Sequence, residues 1–361
     1  MRDEVKTGPT DESRPVRAED AFDVEAVAAW LRDNATAFRD DLVGTPEVRQ
    51  FPGGASNLTY QLNYPDRALI LRRPPAGVKA ASAHDMGREF RIQSALAPVF
   101  PYVATMVGLC DDESVIGSEF YVMERIDGTI LRRELPFEAT PEDVSRLCEN
   151  AFDVLIALHS VDTGSLPDLA KLNKGPGYVA RQVSGWTDRF ARARTDDTGD
   201  WTDIIEWIEE HQPEDVAQVL IHNDFRFDNM VLDPDDPMRV IGVLDWEMAT
   251  VGDPLMDLGS SLAYWVGADD DPAFRALASQ VSDLPGMPTR GEVVARYLDR
   301  TGLPMDDWTF YEVFGLFRLA VIVQQIWARY RAGDTTNPRF ASFGSVARVL
   351  LDRAERLGPG G

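Results

Sequence analysis

Lysine is nearly missing from this chain. Of 36 basic residues only four are lysines, Lys6, Lys79, Lys171 and Lys174, and the rest are arginines. Sixty acidic residues, Asp more often than Glu, outweigh them to a formal net charge of −24. A chain of that sign is not expected to bind nucleic acid. Its acidity runs along the whole sequence instead of clustering, which fits adaptation to high salt, where excess negative charge keeps a protein dissolved. An acidic surface that attracts a cationic substrate is the other reading. Two cysteines, Cys110 and Cys148, are too few for a disulfide framework and fit a reducing cytoplasm. Histidine is scarce as well, at His84, His159, His211 and His222. No long apolar run is clean. Phe310–Tyr330 comes nearest, but Glu312, Arg318 and Arg329 interrupt it, so it reads as a buried helix and not as a membrane span. Met1–Asp23 lacks the apolar centre of a signal peptide and reads as a disordered, charged leader.

What is present supports a sizeable core: 361 residues, 44% of them hydrophobic, suffice for one large or two modest domains. No internal repeat is visible, and nothing in the sequence reports on oligomeric state. Val24–Thr36 has helical apolar spacing, followed by β-type runs at Val48–Gly54, Leu58–Tyr64 and Ala68–Arg72. Glu89–Leu96 reads as a helix and Ser118–Met123 as a strand, and from Pro141 the chain is mostly helical. These elements predict an α+β architecture of two lobes. A disordered leader at 1–23 precedes a small β-rich N-terminal lobe over 24–125 and a larger, mostly helical lobe over 126–357. The cleft between lobes is the expected place for a nucleotide.

The most informative stretch is His222-Asn-Asp-Phe-Arg-Phe-Asp-Asn229, followed by Val-Leu-Asp245-Trp. Asp224 precedes Asn229 by the spacing of a kinase catalytic loop, Asp-x-x-x-x-Asn. Between Asn229 and Asp245 the sequence predicts a hairpin: strand Met230–Asp233, turn Pro234–Pro237, and return strand Arg239–Leu244. Asn229 enters that hairpin and Asp245 leaves it. An amide oxygen and a carboxylate at one open end suit Mg²⁺, which takes few protein ligands when phosphates supply the others. Asp224 is then the group to receive the proton of an attacking hydroxyl. His222 would brace the loop backbone. The turn Gly53-Gly54-Ala55-Ser56-Asn57 lets backbone N–H groups approach phosphate oxygens, although any tight hairpin also favours glycine. Alternation in Ala68–Arg72 puts Ile70 and Arg72 on one strand face.

With its joint pattern of His-x-Asp-x-x-x-x-Asn and Leu-Asp-Trp, the chain resembles the aminoglycoside phosphotransferase-like kinases, small-molecule enzymes of protein-kinase-like fold. Pro52–Tyr60, Leu71-Arg-Arg-Pro-Pro75, Arg88-Glu-Phe-Arg91 and Gly252-Asp-Pro-Leu-Met-Asp-Leu-Gly259 fall at that family's landmarks, and the likeness covers about residues 24–350. Within the family it is similar to the phosphotransferase domain associated with acyl-CoA dehydrogenases. The resemblance implies ATP and Mg²⁺ as cofactors. It places Gly53, Gly54, Ser56 and Asn57 on phosphates, and Arg72 where the family carries a lysine, with Arg73 as the fallback. Glu89 becomes the acid paired with that cation, and Met123, Glu124 and Ile126 the segment that meets adenine. Asp257, expected to open or cap a helix, becomes a brace for the catalytic loop. The segment from Tyr178 through Arg181 to Trp186 matches the helical insertion that forms the acceptor pocket, and would equally suit a packing helix. His159 reads as a packed core histidine.

The expected activity is transfer of the γ-phosphate of ATP to a hydroxyl of a small molecule, a hydroxyacyl-CoA or hydroxy acid. An aminoglycoside or other amino-alcohol kinase is the alternative, and a nucleotide-binding regulator without catalysis is another. A metal-dependent phosphohydrolase built on His222, Asp224 and Asp245 would want more ligands than four histidines supply.

Overall fold

The protein is described by a computed structural model covering residues 13–52, 57–75, 85–335 and 337–361. It divides into two units, Met1–Ile130 with Met230–Met248, and Leu131–Asn229 with Ala249–Gly361.

The first unit is built on an antiparallel sheet. β1 (Arg14–Pro15) pairs with β2 (Glu47–Gln50), and between them runs helix α1 (Val24–Asn34), whose cap Asp23 accepts from Ala26 N at 3.0 Å. β3 (Leu58–Asn63), β4 (Ala68–Arg73), helix α2 (Met86–Leu96), β5 (Met106–Cys110) and β6 (Phe120–Glu124) complete it in the order β1-β2-β3-β4-β6-β5. Residues 13–23 are therefore not a disordered leader. Ser13 accepts from the Arg49 side chain at 2.8 Å, and the carboxylate of Asp20 from Gln50 at 2.8 Å, so the sheet edge captures this stretch. Residues 1–12 lie outside the described residues.

Strand parity sorts the side chains of β4, because successive residues face opposite sides of a sheet. Leu69 and Leu71 join one core with Tyr60, Leu62, Val27 and Leu31, whereas Ile70 joins the other with Met86, Tyr121 and Met123. β5 was not foreseen in the sequence. Its Met106-Val-Gly-Leu-Cys110 run carries a central glycine and no clean alternation, and it forms by pairing with β6.

β7 (Thr129–Ile130) ends this first pass. The chain then crosses the second unit, including β8 (Val219–Ile221), before returning as the hairpin β9 (Met230–Leu232) and β10 (Val240–Val243). Met230 pairs with Val243, which confirms the hairpin and its open end. The hairpin belongs to the first unit, against the expected division at 125/126. β7 pairs with β9, Val243 N donates to Tyr102 O at 2.6 Å, and the fully buried Trp246 meets Phe100 edge-on at 5.9 Å.

The second unit is helical: α3 (Pro141–His159), α4 (Pro167–Ala170), α5 (Tyr178–Ala193) and α6 (Thr202–Glu210) come before the hairpin. After it follow β11 (Thr250–Gly252), which pairs with β8, and α7 (Pro254–Leu262), α8 (Pro272–Arg275), α9 (Arg290–Thr301), α10 (Thr309–Ala332) and α11 (Phe343–Leu357). α10 contains the apolar stretch noted in the sequence and packs among α11, α7 and α5. It crosses α7 backbone to backbone. A Cβ at Gly259 would lie 2.6 Å from Tyr311 O, and one at Gly315 2.4 Å from Gly259 O, so glycine is required at both crossing points. That contact seats α7, whose first turns carry the acid described next.

Candidate active site

In the second unit the motif loop is held by one carboxylate. Asp257, fully buried, accepts from His222 N at 2.8 Å and Asn223 N at 2.7 Å, and its other partner is His159 Nε2 at 3.1 Å. Burial alone would raise its pKa, but the hydrogen bond and charge of His159, with those of His222, hold it below the ordinary carboxylate value. Asp257 lies inside the first turns of α7 and does not cap it. The cap is Asp253, which accepts from Leu255 N and Met256 N at 2.9 and 3.0 Å. The sequence Asp253-Pro254 carried that signal, a capping acid before proline at the first helical position. His159 is buried, as expected of a core histidine, but its ring is bonded on both sides. Nδ1 meets the Tyr297 hydroxyl at 2.5 Å.

Within this loop Asn223 adopts φ 66°, a left-handed conformation that asparagine tolerates better than most residues. Its Oδ1 accepts from the Tyr178 hydroxyl at 3.2 Å, and its carbonyl from the buried Arg318 at 2.8 Å. His222, fully buried, accepts from Asp224 N at its Nδ1, 3.3 Å away. Asn229 Nδ2 donates to the carbonyl and the carboxylate of Asp224 at 2.9 and 2.8 Å. The amide nitrogen is thus committed to the loop, and Oδ1 is the end of Asn229 suited to a cation.

Sequence reasoning passed over Arg226. It is paired with Asp228 and stacked over the Tyr264 ring at 4.5 Å, and Asp228 O also accepts from Arg132 at 3.3 Å. Of the residues assigned to an acceptor pocket, Tyr178 and Trp186 are buried on α5. Arg181 donates to Pro176 O and Gly175 O, closing the turn before its own helix.

In the first unit a different arrangement surrounds Arg72. Its guanidinium is a fork on two carboxylates, with Nη1 donating to Glu89 Oε1 at 2.5 Å and Nη2 to Asp245 Oδ1 at 3.1 Å. Glu247 Oε2 lies 3.9 Å from the same nitrogen and accepts from Asn57 Nδ2 at 3.1 Å. Burial would lower the pKa of Arg72, but Glu89 foremost, with Asp245 and Glu247, holds it well above its usual value. Burial pushes the Glu89 carboxyl up, and Arg72 opposes the shift. Arg73, the fallback from the sequence, has other partners. It faces the other side of β4, where it donates to the Tyr60 hydroxyl at 3.1 Å and to Asp20 O at 2.7 Å. Asp245 itself has φ 67°, so Asn223 and Asp245 are the non-glycine residues with positive φ among the described residues. Glu247, two positions after Asp245, is a participant the sequence reading missed, although a second acid so close was a visible signal.

Gly53, Gly54 and Ser56 lie outside the described residues. Met123 belongs to the core beside Ile70 and Tyr121, with Ile126 packed against it. The backbone N–H of Glu124 donates to Thr105 O at 2.8 Å and its side chain pairs with Arg67, so neither is spare for a base. Among the described residues no group of three or more His, Cys, Asp or Glu side chains is arranged to hold a metal ion.

An antiparallel sheet with a hairpin in one unit and a helical second unit define a two-lobed, protein-kinase-like fold, shared with choline kinase from Cryptosporidium parvum Iowa II at TM-score 0.64 and 13% identity, over 93% of this chain and 95% of that one. The model of the phosphotransferase enzyme family matches residues 47–293, and the chain belongs to that family of small-molecule phosphotransferases. A Ralstonia eutropha protein solved as a candidate aminoglycoside phosphotransferase is 32% identical, with TM-score 0.78, over 93% of this chain and 98% of its own. Acyl-CoA dehydrogenase family member 11 of Homo sapiens is 32% identical over 358 residues, 98% of this chain and 45% of that protein. Family member 10 of Mus musculus is 34% identical over 344 residues, 95% of this chain and 32% of that protein. The chain thus spans less than half the length of these curated relatives.

Proposed function

We propose that this chain is an ATP- and Mg²⁺-dependent kinase that phosphorylates a hydroxyl group on a small molecule. The observation that carries the reading is where the backbone is strained. Left-handed non-glycine residues cost on the order of 1–3 kcal/mol each and persist where a site demands them. Here they are Asn223, which precedes Asp224, and Asp245.

The roles follow from the donor sets. Asp224, oriented by the Asn229 amide, receives the proton of the acceptor hydroxyl. Asn229 Oδ1 and Asp245 are hard oxygen ligands of the kind Mg²⁺ takes, and the nucleotide with its metal supplies the phosphoryl group and its charge neutralisation. Arg72, locked by Glu89, holds phosphate oxygens, helped by the backbone of Gly53, Gly54, Ser56 and Asn57. Adenine lies at the segment of Met123, Glu124 and Ile126, and Ile126 is the better candidate for a backbone contact because the Glu124 amide is committed. Little covalent work is asked of the protein, since positioning and electrostatics dominate phosphoryl transfer.

A hydroxyacyl-CoA or hydroxy acid is the proposed acceptor, on the likeness to the acyl-CoA dehydrogenase family members. The acidity of the chain supports adaptation to salt, in a cytoplasmic setting. The deciding experiment is transfer from labelled ATP with Mg²⁺ in molar KCl, across hydroxyacyl-CoAs, hydroxy acids, sugars and aminoglycosides. Labelled hydroxyacyl product is the expected result. Labelled aminoglycoside would replace the acceptor class, and tight ATP binding without transfer to any acceptor would replace the kinase by a silent regulator.

A further inference from the structure

Three charged residues interrupt the apolar run of α10, and two of them are readily explained. Glu312 pairs with Arg353 at 3.4 Å, and Arg329 is exposed. Arg318 is different. It is buried, at 5% exposure, yet no carboxylate pairs with it among the described residues. Its Nη2 donates to Asn223 O at 2.8 Å, and its Cζ lies 5.1 Å from the centroid of the Trp186 ring. The other buried arginines are better supplied. Arg72 bonds two carboxylates, and Arg73 gives Nε and Nη2 to the Tyr60 hydroxyl and Asp20 O. A cation taken out of water ordinarily has a counter-charge, because burial without one is costly.

The spare donors of Arg318 are within reach of a ligand. The Nε atoms of Arg72, Arg296 and Arg353 are sealed in without an acceptor, whereas Nε and Nη1 of Arg318 are not sealed. Asn223 O takes one hydrogen of Nη2, so one two-pronged edge of the guanidinium stays whole, the geometry that matches a carboxylate.

This guanidinium stands beside the proposed base. Asp224 is the residue after Asn223, one Cα step of about 3.8 Å along the chain. Tyr264, just past α7, registers both charges. Burial raises its pKa, Asp224 adds to the rise, and Arg226 and Arg318 oppose it. Of these two cations Arg226 already has a carboxylate, that of Asp228. Arg318 does not. Long-range attraction cannot bring an anion to a chain of net charge −24, so a local contact has to hold it.

We propose that Arg318 is the specificity-determining residue of the acceptor site, and that its open edge receives the carboxylate of a free hydroxy acid whose hydroxyl lies at Asp224. The proposal deepens the kinase reading by choosing the free acid over its CoA thioester, which has no carboxylate at that position. Its catalytic part rests on that reading, and its binding part does not.

The test uses the whole chain with straight-chain ω-hydroxy acids of three to six carbons, each beside its amide and its CoA thioester. Affinity is read by calorimetric titration, with phosphate transfer from ATP measured in parallel. We expect at least one acid to bind about 10- to 100-fold more tightly than its amide, the worth of one charged hydrogen bond. Arg318→Gln should abolish that preference while leaving the amide's affinity in place, and Arg318→Lys should restore part of it. A purely structural role would weaken acid and amide alike. Should Arg318→Gln not fold, Arg318→Lys is compared with the parent, and a reduced acid-to-amide ratio is the expected result. Equal affinity for acid and amide in the parent, or a preference that survives substitution of Arg318, overturns the proposal. Tighter binding of the thioester than of the acid overturns the free carboxylate as the group held. Acid bound through Arg318 without phosphate transfer would sink the kinase reading alone, and transfer without preference for the acid would sink this proposal alone.

Discussion

Around Asp224 the polypeptide is fixed through its main chain, by amides of His222 and Asn223 that converge on the buried Asp257, whereas around Asp245 the fixing is done by side chains that share the Arg72 guanidinium. Two carboxylates at the hearts of these regions respond in opposite directions. Asp257 receives donors enough to hold its pKa down despite complete burial, and Glu89, with a single cation, is pushed up by burial. The first arrangement is a mount made of main-chain amides on one buried carboxylate, and the second a charge cluster that shares one guanidinium. The kinase proposed above would use both, a base that does not wander and a cation that can be shared.

The largest effect should come from removing the group that the mount presents. Asp224→Ala is expected to lower turnover by about 10²–10⁴-fold, the range of positioned general-base catalysis, while nucleotide binding survives. Steady-state kinetics with a parallel nucleotide titration would decide it, and unimpaired turnover would remove Asp224 from its role.

Next comes the mount itself. Asp257→Ala leaves two buried amides unpaired at about 1–3 kcal/mol each, so denaturant unfolding should show a loss of roughly 2–6 kcal/mol. The pH dependence has a definite sign. A carboxyl whose folded pKa is depressed adds stability that is complete above its unfolded pKa and lost as pH falls through the folded one. The parent protein should lose stability below the ordinary carboxylate range, and Asp257→Ala should show a shallower acid limb there. Glu89→Gln should do the opposite. A raised folded pKa contributes stability below the unfolded value that disappears as pH rises through the folded one, so this variant should lose part of that decline. Identical acid limbs for parent and both variants would erase the contrast between these two carboxylates.

How much of this was legible in the sequence follows the same divide. The spacing Asp224-x-x-x-x-Asn229 and the hairpin to Asp245 are local patterns, and the β9–β10 register confirmed the hairpin. That Ile70 and Arg72 share one face of β4 was legible too, because strand parity is a property of the sequence. Long-range partners were not. That His159 bonds Asp257 across 98 residues, or that Glu247 joins Asn57 across 190, depends on helix and hairpin placement that no local pattern encodes. The structured stretch 13–23 escaped notice because its order comes from pairing with β2 and not from its own composition.

A smaller effect tests the charge cluster. Because the Arg72 fork bonds two carboxylates at once, a point charge cannot replace both contacts. Arg72→Lys should lose one charged hydrogen bond, about 1.5–3 kcal/mol, and weaken nucleotide binding roughly 10- to 100-fold, with Arg72→Ala worse again. Equal losses in the two variants would mean that the fork, and not the charge, is what the site requires.

The smallest effect separates mount from acceptor pocket. Tyr178 was assigned to the pocket from sequence, but its hydroxyl donates to Asn223 Oδ1 inside the same anchored loop. If its work is to hold the left-handed Asn223, Tyr178→Phe should cost about 1 kcal/mol of stability, the usual worth of one such bond, and lower kcat with little change in acceptor KM. If instead the hydroxyl touches the acceptor, KM should rise while stability stays near that of the parent. The burial of Tyr178 on α5 favours the first outcome, because a ring packed at 5% exposure has little surface to offer a substrate.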